Sequence, residues 1–188
     1  MSSKKLLRAY CKMQKLINFI TRSLSCRVTV LLFIGGISLF SLLAALASEA
    51  FFGLEPCIMC IYQRIPFAAV IILSIIGVIF RKHKGVSTGM IGLSGFAFLI
   101  NSILALYHTG IEQKWWVSAV EGCKVTFEND SKQTMLENIL SAPTGRCDEI
   151  PWSDPILNLS MANYNVILCF GLFALCAISL ILIKKKSA

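Results

Sequence analysis

The sequence predicts an all-α membrane protein: a four-transmembrane-helix bundle with a long outer loop between helices three and four. Three observations predict it. The 188 residues are 56% hydrophobic, with a mean hydropathy of +0.72. The apolar residues gather in four runs, at about 28–47, 61–80, 88–107 and 164–183. The charged residues sort between the gaps by sign. Each run is close to the ~20 residues that a helix needs to cross roughly 30 Å of hydrocarbon. Backbone groups in lipid must be satisfied within their own segment, so the runs are helices. The chain reads as a single integral membrane domain over 1–188.

Charge sets the expected topology. The segment before the first run holds Lys4, Lys5, Arg8, Lys12, Lys15, Arg22 and Arg27 and no acid. The link between runs two and three holds Arg81, Lys82 and Lys84, and the tail holds Lys184, Lys185 and Lys186. The acids lie in the other two links, Glu49 and Glu55 in the first and the rest between Glu112 and Asp154. The positive-inside rule then puts both termini in the cytoplasm and loops 48–60 and 108–163 outside. Basic flanks of membrane spans account for the net charge of +8, so the partner of these charges is a lipid bilayer and not nucleic acid. One competing reading concerns the first run, whose end "AALASEA" has the small residues of a signal-peptidase site. Its basic leader is long and its apolar core is of span length, which favours a retained helix.

In order along the chain, "FFGLEP" supplies a turn-prone Gly53 and a helix-initiating Pro56 ahead of the second span. "RKHKGVS" is only long enough to reverse direction. Gly89, Gly92 and Gly95 give the third span a small-residue face for close packing. Trp115 and Trp116 follow it where indole rings favour headgroups. Within the long loop, "SKQTMLENIL" has apolar residues at helical spacing and predicts a short amphipathic helix.

Topology sorts the eight cysteines. Cys11 and Cys26 face the reducing cytoplasm, and Cys169 and Cys176 lie within the last span, where they read as free thiols or small buried hydrophobes. Cys57, Cys60, Cys123 and Cys147 are outside, two in each loop, where disulfides persist. Cys57 and Cys60 open a helix, where exposed N–H groups and the helix dipole stabilise a thiolate. Cys123 and Cys147 lie 24 apart among charge and glycine ("EGCKV", "GRCDE"), where a bond would constrain the loop and stay accessible to a visiting protein. Two structural staples, or a four-thiolate metal site, are the alternatives. The second pair lacks the close spacing usual in zinc ligand sets, so no metal site is expected. Arg64 is four residues past Cys60 and shares its helix face. A cation one turn into a span is costly unless it has a task, here stabilising negative charge on Cys60 or on a reduced ligand; snorkelling to the headgroups is the alternative. His108 and Glu112, where the third span leaves the membrane, are candidate proton-handling groups.

In these residues the chain resembles the DsbB-type disulfide bond formation proteins of the bacterial inner membrane. The likeness rests on four spans, the CxxC of "EPCIMCIYQR" opening the second, a cysteine pair in the long loop, and "CDEIPW" followed by "LSMANYN". It implies reoxidation of a periplasmic DsbA-like thioredoxin-fold thiol oxidase, with electrons passed to the membrane quinone pool, ubiquinone or menaquinone. By position it implies that Cys57 and Cys60 are the quinone-proximal pair, that Cys123 and Cys147 exchange with the partner, and that Arg64 serves the quinone site; His108, from its place at the end of the third span, is a further cofactor-binding candidate. Gln63 stands where a glutamate is common, and Asn158 where glycine is frequent, a mild change because Asn tolerates left-handed backbone. A thiol-relay quinone reductase resembling vitamin K epoxide reductase would carry its membrane CxxC in a later span. A scaffold with two structural disulfides is the non-enzymatic alternative.

Overall fold

A computed structural model describes residues 13–15, 18–120, 123 and 145–187. The amphipathic helix expected at 131–140, and Cys11, lie outside the described residues. Four long helices follow one another: α1 (Arg27–Phe52), α2 (Ile58–Ile79), α3 (Lys84–Glu112) and α4 (Met161–Ser187). All four are long and apolar enough to cross a membrane. Among the described residues no strand forms, only isolated bridges joining Cys57 to Gly145 and Ser153 to Ser160.

Each helix is longer than its apolar run, α2 only at its N-terminal end, because hydropathy reports the hydrocarbon thickness and not where backbone hydrogen bonding stops. α1 continues to Phe52 and is closed by Gly53, whose φ of +62° suits a residue without Cβ and whose N–H donates to the Glu49 carbonyl. α2 begins at Ile58, with Cys57 as its N-cap. Pro66 sits inside α2, where it has no N–H to give the Tyr62 carbonyl, a defect that spans tolerate when neighbouring helices enclose them. α3 runs on to Glu112, so His108 and Glu112 belong to a helix and not to the loop.

α3 packs between α2 and α4, and α1 lies chiefly against α2. The shared core is apolar: Leu31 and Ile34 from α1, Phe67 and Val70 from α2, Ile91 and Phe98 from α3, Leu172 and Cys176 from α4. Close approach of α3 to α4 depends on Gly95, where an added Cβ would stand 3.1 Å from Cys176 Cβ. The opposite faces carry Leu32, Phe40, Ile72, Phe96, Ile103 and Phe170 in the open, as side chains in contact with lipid acyl chains should be. At one end of the bundle Ser87 Oγ donates to the Gly77 carbonyl, Arg27 Nε donates to Thr88 Oγ1, and Ser179 Oγ donates to the Leu24 carbonyl. That end collects the basic residues of the link and tail. The cysteine-bearing segments meet at the other end.

Candidate thiol site at the end of the bundle

Five of the residues at this end form a second buried cluster, separate from the apolar core: Cys57, Met59, Ile111, Cys123 and Cys147. Cys57 caps α2 by accepting from the Cys60 N–H at 3.3 Å. The two sulfurs stand 2.9 Å apart as separate thiols. Cys123 and Cys147 are joined as a disulfide. The structure thus brings all four outer cysteines into one place, as two distinct pairs.

The loop reaches the helix pair through Gly145. Its bridge to Cys57 is so tight that a Cβ there would lie 2.8 Å from Cys57 N, from the Glu55 carbonyl oxygen and from the Pro56 carbonyl carbon. Only glycine fits, and two residues later the chain delivers Cys147. From the other side the chain folds back over the end of α3. Trp116 stacks on Tyr107 and donates to its carbonyl at 3.2 Å, and the Tyr107 hydroxyl accepts from the Ala119 N–H at 3.0 Å. Lys114 turns this corner at φ +58°, and Val120 packs on the cluster beside Cys123. The expectation that the loop disulfide stays accessible is not met: Cys123 is 2% and Cys147 0% exposed, covered because the loop is pinned onto the α2 entrance. Asn158 adopts φ +54°, the left-handed conformation that asparagine tolerates, in a turn closed by its N–H to the Asp154 carbonyl at 2.8 Å.

The Sγ atoms of Cys57 and Cys147 and a ring nitrogen of His108 all lie within 4.8 Å of one another. Such a trio could hold a metal if all its members were free, but Cys147 sulfur is already bonded to Cys123. What remains is a thiol, an imidazole and a disulfide sulfur gathered within 4.8 Å of one another. His108 Nε2 is 3.5 Å from Cys57 Sγ and 3.8 Å from Glu112 Oε1. Glu112 is held in turn by Ser160 Oγ, which donates at 2.5 Å. The Cys57 thiol titrates well below the ordinary thiol range. The hydrogen bond from Cys60 is the largest cause, and His108 adds to it against the cost of burial. At the loop, Arg146 donates to Asp148 and pairs with Glu149 in the open, which lowers the Asp148 carboxyl.

Cys60 lines a cleft of about 840 Å³ whose walls include Leu42 and Ala45 of α1, Phe67 of α2, Leu168 of α4, and Ile150 and Pro151 of the loop. Arg64, Glu49 and His108 supply its polar edge. Arg64 is ion-paired to Glu49 of α1, with about a quarter of each side chain exposed. This partner was not visible in the sequence, because the two residues are 15 apart on different helices. An apolar slot ending in a guanidinium, an imidazole and a thiol suits a flat, hydrophobic molecule with carbonyl groups at one end.

A family model described as "Disulfide bond formation protein DsbB" matches residues 27–179. Among curated relatives, "Disulfide bond formation protein B" of Shewanella frigidimarina is 28% identical over 78% of this chain and 85% of its own length. The protein of the same name from Histophilus somni is 29% identical over 84% and 88%. An uncharacterised protein of Rickettsia prowazekii is also 29% identical, over 80% and 85%. No solved structure matches the chain.

Proposed function

The chain belongs to the DsbB family of disulfide bond formation proteins, and from that premise we propose that it is a thiol:quinone oxidoreductase of the bacterial inner membrane. It reoxidises a periplasmic DsbA-like dithiol oxidase, with both termini in the cytoplasm and the redox loops outside. The observation that carries this reading is the placement of Cys57 between Cys147, within 4.8 Å, and Cys60, at 2.9 Å, with Cys60 lining the apolar cleft.

The relay proceeds by thiolate exchange. A thiolate of the reduced partner attacks Cys123, the Cys123–Cys147 bond breaks, and Cys147 leaves as thiolate. The partner's second thiolate then attacks the mixed disulfide, releasing oxidised partner and the Cys123 thiolate. Because Cys123 is buried, attack follows uncovering of that sulfur. Cys147 thiolate attacks Cys57 of an oxidised Cys57–Cys60 pair and expels Cys60. Cys123 thiolate then attacks Cys147, which restores the loop disulfide and releases Cys57. The arrangement of reduced helix pair and oxidised loop pair corresponds to this last state. The residues lining the cleft fit a quinone, which when bound supplies a two-electron, two-proton sink. Arg64 would orient its carbonyl end, Cys60 would stand against it as the thiolate that gives up the electron pair, and His108 and Glu112 would handle protons.

Purified protein supplied with a reduced thioredoxin-like dithiol and a soluble quinone should reduce the quinone while oxidising the dithiol one for one. Wild-type rates from Cys60→Ser protein would overturn the scheme.

A further inference from the structure

A second chain of contacts starts at Cys57 and His108 and runs into the membrane, through residues beyond the histidine to which the relay assigns no role. Nδ1 of His108 meets Gln63 Nε2 at 2.9 Å. Gln63 Oε1 accepts from Asn165 Nδ2 at 2.7 Å. Asn165 Oδ1 accepts from Cys169 Sγ at 3.2 Å, and Cys169 Sγ accepts from Asn101 Nδ2 at 3.3 Å. The path crosses α2, α3 and α4. Gln63, His108, Asn101 and Cys169 are buried, with Asn165 half-buried. Polar groups at such depth are costly in a span unless satisfied and tasked.

The chain has one direction. Amide nitrogen and oxygen are told apart by the network they must satisfy; reversing every link would satisfy the inner ones equally, so the two ends set the direction. Its far end is Asn101 Oδ1, which has no hydrogen-bond partner among the described residues; the donors all point the other way, toward the thiol site. At the near end His108 Nε2 faces two acceptors, Cys57 Sγ and Glu112 Oε1. A neutral imidazole carries one N–H. If Gln63 presents its NH₂ to Nδ1, that proton must be on Nε2, aimed at Cys57.

We propose that Gln63 and Asn165 are positioning residues that hold His108 as its Nε2–H tautomer, so that the ring donates to Cys57 whenever that sulfur carries negative charge. Asn165 fixes which end of the Gln63 amide faces the histidine, and Cys169 with Asn101 fixes Asn165. Cys169 is then the thiol link in a polar chain, where sequence alone reads a small buried hydrophobe. The proposal rests on the redox reading only for its consequence at Cys57; the tautomer itself is a property of the folded protein.

The chain has only two histidines, so His83→Gln protein labelled with ¹⁵N-histidine reports His108 alone. In the reduced full-length protein in lipid nanodiscs, Nε2 should give a protonated-type nitrogen signal and Nδ1 an unprotonated one. Gln63→Glu, which replaces the donor at Nδ1 with an acceptor of the same shape, should move a proton onto Nδ1. Gln63→Leu and Asn165→Leu should leave a mixture. A wild-type Nδ1–H tautomer, or a Gln63→Glu spectrum unchanged from wild type, overturns the proposal. A second readout is the pH profile of Cys57 alkylation in a Cys60→Ser background. Among the described residues, the titratable and charged groups facing Cys57 there are His108 and Glu112, while Arg64 and Glu49 are paired with each other. Gln63→Leu should slow alkylation below the ordinary thiol pKa by roughly tenfold, the loss of one charge-assisted hydrogen bond. Neither measurement needs quinone or partner, so failure of the relay itself would leave both tests standing.

Discussion

A helix end positions Cys57 and Cys60, whereas a bond and a glycine contact position Cys123 and Cys147. The first pair needs little from the rest of the loop: Cys57 caps the helix by accepting from the Cys60 N–H, and the i, i+3 spacing brings the sulfurs to 2.9 Å. The second pair spans 24 residues and is delivered by Gly145 on one side and the Tyr107–Trp116 stack on the other. The helix pair is tuned by its surroundings, with its first thiol acidified by Cys60 and His108. The loop pair is flanked instead by exposed charge. A pair fixed by secondary structure suits a cofactor that returns to one place, and a pair fixed by loop docking suits a protein partner that must come and go.

The largest expected effect follows from that division of labour. Cys123→Ser should cut oxidation of a protein dithiol by about a thousandfold or more, to background. The same variant should keep most of its quinone reduction when driven by a small dithiol, which can reach Cys60 through the cleft. Cys60→Ser should lose both. Equal loss of both activities in Cys123→Ser would mean that the pairs act as one unit. Next in size is the junction between them. Gly145→Ala places a methyl 2.8 Å from three backbone atoms of the α2 entrance, so the loop must lift and carry Cys147 away from Cys57. Transfer between the pairs, followed by stopped-flow after mixing with reduced partner, should slow by about tenfold to a hundredfold, as displacement by an ångström does to reacting groups. The small-dithiol reaction should be spared; loss of both would mean that α2 itself had been disturbed.

Much of this could be read from the chain. Apolar runs of span length gave four helices, and the sign of the charges between them matches the collection of Arg27, Arg81, Lys82 and Lys184 at one end. The CxxC after Pro56 marked the thiol site, and i, i+4 geometry put Arg64 beside Cys60 on the cleft. What escaped were contacts between helices, because composition says nothing of how one helix is rotated against another. Glu49 looked like an outer-loop acid and is the partner of Arg64. Gln63 looked like a mere departure from a family pattern, and Cys169 like filler. A usable signal existed in Asn101 and Asn165, amides within or at the edge of apolar runs. Asn101 lies seven residues before His108 and Asn165 four before Cys169, spacings that share a helix face. Gly145 had no such signal, since its role appears only when the loop meets the α2 entrance.

The smallest effect is expected where charge is most conspicuous. Arg146 stands beside Cys147 and binds Asp148 at 2.7 Å and Glu149 at 3.0 Å, an arrangement that invites a role in activating the loop disulfide. Its guanidinium is exposed, however, and exposed pairs are screened by water and salt. Asp148 is held below the ordinary carboxylate range by Arg146. Its contribution is therefore present above the unfolded carboxyl pKa and fades as pH falls through the lowered folded value, in an acidic range far from that of thiol exchange. Arg146→Gln should leave the rate of Cys123–Cys147 reduction by a small thiol unchanged at neutral pH, in low and high salt alike. A salt-sensitive drop in that rate would mean that the guanidinium stabilises the departing Cys147 thiolate. The loop pair would then be tuned electrostatically as the helix pair is, and the contrast between them would reduce to their positions in the fold.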